Sequence, residues 1–132
     1  GSLMKTALVS LLIVTSIITY IYSQDTIKAY CDLVQSGNSG ITGRIEFEQK
    51  LGSKVQVDGE LNNLIAPQHA FHIHTNGISG NNCTSGGGHY NPFNVDHGSR
   101  ENNQQTRHVG DLGNIENEGD SSTFDFEDDL LS

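Results

Sequence analysis

The chain has 132 residues, no tryptophan, and a formal net charge of −9 from sixteen acidic against seven basic residues. That length holds one domain at most. The acidic balance, with no basic cluster and no interleaving of aromatic with basic residues, argues against nucleic acid or an anionic membrane surface as a partner.

Gly1-Ser2-Leu3 precede the first methionine and read as a cloning remnant. From Met4 a lone Lys5 is followed by an apolar run, Ala7 to about Tyr22, and then by Ser23-Gln24-Asp25. This is the order of a cleaved secretory signal, with cleavage after Ser23. An uncleaved anchor is the alternative, but the run is threonine-rich and shorter than the roughly 20 apolar residues of a membrane span. The expected organisation is therefore 1–23 as remnant and signal peptide and 24–132 as one secreted, extracellular domain. About 109 residues remain, enough for one modest core, and they carry sixteen acidic and six basic residues.

The first half of that domain alternates at period 2. Ile27, Ala29, Cys31 and Leu33 form one apolar set, Ile41, Gly43, Ile45 and Phe47 the next, and Val55, Val57, Gly59 and Leu61 the third. Such alternation marks half-buried strands. The separators, Ser36-Gly37-Asn38-Ser39-Gly40 and Lys50-Leu51-Gly52-Ser53, are turn-rich. Short strands at intervals of a dozen or so residues, without a helix, predict an all-β antiparallel sandwich or barrel. Cys31 falls on the apolar phase and is expected to be a buried thiol, although an internal disulfide with Cys83 suits an oxidising compartment.

A fourth strand is predicted from about Ala70 to His74. Residues i and i+2 share a face, so His72 and His74 project together while Phe71 and Ile73 turn into the core. Taken alone, such a pair is more often two exposed histidines than a site. From Gly77 to Gln105 periodicity is lost, and a structureless stretch near 30 residues needs something to order it. His89, His97, His108 and Asp111, on and just beyond this stretch, supply metal ligands that can do so. Asn82-Cys83-Thr84 matches a glycosylation sequon, with a cysteine at its centre and a tight loop beside it arguing against occupancy. A last strand signal, Phe124, Phe126 and Leu130, precedes Ser132.

Three segments carry a resemblance that runs through nearly all of residues 24–132: Phe71-His72-Ile73-His74, Cys83 to Pro92, and Arg107-His108-Val109-Gly110-Asp111-Leu112-Gly113. In them the chain resembles the copper/zinc superoxide dismutases. The resemblance implies an immunoglobulin-like Greek-key β-sandwich or barrel, with copper and zinc as cofactors and superoxide as substrate. It implies copper on His72, His74 and His89, which would also be the catalytic residues, and zinc on His89, His97, His108 and Asp111. The bridging His89 would take up a proton when copper is reduced. His69 matches a structural histidine that hydrogen-bonds backbone, Cys83 a disulfide cysteine and Cys31 a buried free thiol.

The family pattern continues beyond Ser132 with closing strands, a fourth copper histidine, a guiding arginine and the partner of Cys83. Gly88 stands where the family usually has proline. The expectation is thus an extracellular superoxide dismutase, C-terminally truncated and weakly active, whose complete form can be a homodimer. The alternative is a catalytically silent zinc- and copper-binding extracellular module.

Overall fold

Over residues 25–132 the chain folds into six strands in two sheets. A computed structural model of the chain describes residues 25–132; the apolar run and the cleavage point after Ser23 lie outside them. The strands are β1 (Thr26–Leu33), β2 (Thr42–Lys50), β3 (Val55–Asn62), β4 (Gln68–His72), β5 (Asp111–Glu116) and β6 (Ser121–Asp128). One 3-10 turn, Cys83–Gly86, lies between β4 and β5. No helix among the described residues is long and apolar enough to cross a membrane.

The first sheet has the order β1-β2-β3-β6 and the second pairs β4 with β5, all antiparallel. The chain leaves the first sheet after β3, builds the second, and returns to lay β6 beside β3. Register puts the apolar phases in line: Ala29, Phe47, Val57 and Phe126 form one cross-strand row, and Cys31, Ile45, Gly59 and Phe124 the next. Ile45, Val55 and Val57 are buried at one end of the core and Leu61, Leu64 and Ile115 at the other. Phe71 of β4 and Phe124 of β6 pack against both groups, with ring centroids 5.7 Å apart. Each fully buried aliphatic side chain stabilises the fold by about 1.5–3 kcal/mol, so this apolar seam between the sheets sets the position of β4.

Cys31 corrects the expectation of a buried thiol. It is exposed, as are Ile27 and Ala29 on the same face of β1. The reason is positional: among the described elements β1 touches only β2, and of its residues only Leu33 packs onto the described core. Cys83 is also exposed and both thiols are free.

Strand β5 was not anticipated from the sequence. Its buried residues Leu112 and Ile115 are three apart, not two, because Gly113 between them adopts φ +80°, a conformation open to glycine. The partner strand answers with a register shift between Ala70 and His72. Such a bulge re-aims side chains at the end of a ladder, here His72 opposite Asp111.

Candidate metal centre

Three backbone hydrogen bonds hold the candidate ligands in one place. Tyr90 N–H donates to Ile73 O at 2.8 Å, Ile73 N–H to Gly110 O at 2.9 Å, and Gly110 N–H to Tyr90 O at 2.9 Å. Ile73 lies between His72 and His74, Tyr90 follows His89, and Gly110 precedes Asp111. A closed cycle of main-chain bonds therefore joins three sequence-distant ligand segments without using any ligand side chain. The long stretch before it is held by local turns: Asn91 bonds both backbone groups of Val95, and Asn102 Nδ2 donates to Thr106 O. Thr75 N–H closes on Gly88 O at 3.0 Å.

Asp111 is the hub. Its carboxylate is almost wholly buried, and the Nδ1 atoms of His89, His97 and His108 lie 2.8, 2.9 and 3.2 Å from its Oδ1. Oδ2 accepts the backbone N–H groups of Gly98 and His108, at 3.0 and 2.9 Å. Burial pushes this carboxyl's pKa up, but those two N–H groups, with the imidazoles of His89 and His97, outweigh burial and hold it well below the usual carboxylate range. The group is ionised at any physiological pH.

The four donor atoms fit a cation better than they fit one another. His89 Nδ1 and His108 Nδ1 are 3.3 Å apart, so one must be the acceptor of the other. If each imidazole instead donated to Asp111 Oδ1, both nitrogens would carry protons and that contact would be repulsive. A divalent ion accepts all four lone pairs at once. Zinc with ligands at 2.0–2.2 Å in a tetrahedron sets donor–donor edges of about 3.3–3.6 Å, and the three His–Asp111 separations and the His89–His108 separation, 2.8 to 3.3 Å, need only a small expansion to reach it.

His89 also faces a second group of imidazoles. Its ring stacks on His72 at a centroid distance of 4.0 Å and meets His74 edge-on at 5.3 Å. A ligand atom of His72 comes within 4.8 Å of those of His89, His97 and Asp111. His72 is thus drawn into the carboxylate cluster as well as standing beside His74. Burial first, and then the neighbouring His89, lower the His72 pKa, which favours the neutral, ligating ring. His74 is exposed, and its Nδ1 donates to Gly87 O at 2.8 Å. That fixes the tautomer and leaves Nε2 as the lone pair on offer.

Outside the cluster, His69 Nε2 accepts the Ala66 N–H at 3.1 Å, and Cys83 Sγ donates to Ser36 Oγ at 3.4 Å. Two supporting residues were not singled out in the sequence. Arg107 is fully buried and donates to Asp111 O, Asn102 O and Asp128 Oδ2, at 2.6, 3.1 and 2.7 Å. Only its place one residue before His108 pointed to it, and nothing local pointed to Asp128.

A family model described as copper/zinc superoxide dismutase matches residues 41–132. The chain is similar to the Cu-Zn superoxide dismutase A of Xenopus laevis, with 42% identity over 106 residues, 80% of this chain and 68% of that protein. It is similar to the extracellular Cu-Zn superoxide dismutase of Caenorhabditis elegans, with 37% identity over 123 residues, 92% of this chain and 54% of that one. To the extracellular Cu-Zn superoxide dismutase of Drosophila melanogaster the identity is 46% over 84 residues, 63% of this chain and 45% of that one. The chain thus spans between 45% and 68% of these relatives' lengths.

Proposed function

The chain belongs to the copper/zinc superoxide dismutase family, and from that premise we propose that it is a secreted enzyme converting superoxide into oxygen and hydrogen peroxide. His89, His97, His108 and Asp111 hold zinc, and His72, His74 and His89 hold copper. The observation that carries this reading is the convergence of three imidazole Nδ1 atoms on Asp111 Oδ1, with the His72 and His74 rings packed against His89. When bound, copper supplies a one-electron cycle between two oxidation states, and zinc a fixed, redox-inert charge.

The chain's own contribution follows from which atoms are committed. His89 uses Nδ1 towards Asp111 and His108, so Nε2 remains for the copper side and is the atom that can hold a proton there. Forming hydrogen peroxide from superoxide requires two protons, and this imidazole provides a position for one of them beside His72. Asp111 anchors the first nitrogen, so His89 can release or accept at the second without leaving its place. Export is supported by the pattern from Lys5 to Ser23 and by the extracellular naming of the nematode and fly relatives.

The test is reconstitution of the purified chain with each metal separately and with both. Superoxide decay by pulse radiolysis should require copper, and zinc alone should give no rate above the spontaneous one. A chain that holds copper on His72, His74 and His89 yet leaves superoxide decay unchanged would overturn the enzymatic reading.

A further inference from the structure

We propose that Asn82 is a site of N-linked glycosylation. Asn82-Cys83-Thr84 satisfies the acceptor pattern Asn-x-Thr without proline in the middle, and no other asparagine of the chain does. All three residues are exposed. Asn82 has extended backbone, φ −96° and ψ 93°, and caps the turn Cys83–Gly86. Its Oδ1 accepts the Thr84 N–H at 3.1 Å and the Thr84 hydroxyl at 2.6 Å.

This arrangement presents the reacting atom. Both hydrogen bonds of the carboxamide end on its oxygen, while Nδ2 has no hydrogen-bond partner among the described residues. The conformation is also local. Ser85 N–H and Oγ donate to Asn82 O at 3.1 and 2.6 Å, Ser79 N–H donates to Ser85 Oγ at 2.8 Å, and Asn82 N–H donates to Ser79 O at 3.3 Å. Residues 79–85 therefore form the acceptor turn without help from either sheet, so a nascent chain can adopt it. The thiol of Cys83 is directed to Ser36, so the cysteine at the centre of the sequon makes no hydrogen bond to Nδ2. The same loop exposes Ile78, apolar surface next to the turn that a glycan would shield.

The transfer balances without any redox partner. Asn82 Nδ2 bonds to the anomeric carbon of a lipid-linked oligosaccharide pyrophosphate, and the bond from that carbon to the pyrophosphate oxygen breaks. The lipid pyrophosphate leaves with the electron pair, and one Nδ2 proton passes to a base of the transferase.

The proposal rests on the export reading, because the transferase works in the lumen of the secretory pathway. Translation of the full chain with microsomes separates the two. Resistance of the product to added protease reports export, and a mass increment removed by peptide N-glycosidase, leaving aspartate at position 82, reports the glycan. The expected result is a protected product carrying one glycan, retained in Thr84→Ser and lost in both Asn82→Gln and Thr84→Ala. A protected product without the increment overturns the proposal while export stands. An unprotected product overturns export, and the glycan with it. An increment that survives Asn82→Gln places the modification elsewhere and also overturns it.

Discussion

Arg107 and Asp128 form an ion pair, Nη2 to Oδ2 at 2.7 Å, with side chains only 0% and 1% exposed. It ties the segment carrying His108 and Asp111 to the end of β6, while a second guanidinium nitrogen holds the Asp111 carbonyl. The buried side-chain polar atoms of the described residues all find partners, so the pair sits in a satisfied network.

Truncating Arg107 leaves the Asp128 carboxylate buried without its counter-charge. Breaking such a pair from one side destabilises by about 3–5 kcal/mol. Urea denaturation of the metal-free protein should show a loss of that size for Arg107→Ala. Arg107→Lys should recover part of it, since charge returns without the planar fork. A loss below about 1 kcal/mol, the range of exposed pairs, would mean that the pair is solvated.

Strands β2 and β3 were legible because each buries one face, and period 2 writes that face into the sequence as Ile45, Val57 and Leu61. The candidate cluster around Asp111 was legible for a different reason: histidines and an aspartate in a polar, turn-rich stretch have few structural uses. Strand β5 was hidden because Gly113 shifts the phase between Leu112 and Ile115. Arg107 and Asp128 were hidden because burial of a charge depends on a partner 21 residues away. The exposure of Cys31 was hidden too, since alternation shows which face a residue takes, not whether anything covers it.

Zinc binding should depend on Asp111 more steeply than on any single support. Asp111→Asn replaces an anionic oxygen with a neutral amide oxygen and should weaken zinc by about tenfold or more, the least that loss of an outer-shell partner costs. Zinc titration by calorimetry measures it directly. In parallel, zinc should slow proteolysis between Gly77 and Gln105, chelation should restore it, and His108→Ala should remove the protection. Equal digestion with and without zinc would refute the role of the metal in ordering this loop.

The outer face of the first sheet carries an unfavourable row. Glu46 pairs with Asp58 across β2 and β3, and Asp58 with Asp125 across β3 and β6. Like charges directly opposite destabilise, with cross-strand pairs worth roughly 0.2–1 kcal/mol. Asp58→Lys turns two repulsions into attractions and should stabilise the fold by about 0.4–2 kcal/mol. The gain should shrink as salt is added, because these groups are exposed and screened. A gain independent of ionic strength would point to propensity, not charge.

Two glycines beside ligands should respond oppositely to alanine. A Cβ on Gly88 would meet nothing within 4 Å, and its φ lies outside the left-handed range. Gly88→Ala should therefore stabilise by about 0.4–1 kcal/mol, through a less free unfolded chain, and leave zinc affinity unchanged. A Cβ on Gly110 would press against Ile73 O and approach Tyr90 N to 3.0 Å, the atoms whose hydrogen bonds join the three ligand segments. Backbone cannot give way as a flexible side chain can, so the cycle must open. Gly110→Ala should destabilise by at least the 1–3 kcal/mol typical of overpacking, about that much even before metal is added, and should loosen zinc together with the fold. Denaturation midpoints and zinc titrations on the two variants decide the matter. If Gly110→Ala keeps wild-type zinc affinity, the cycle of backbone bonds through Ile73, Tyr90 and Gly110 does not position the ligands.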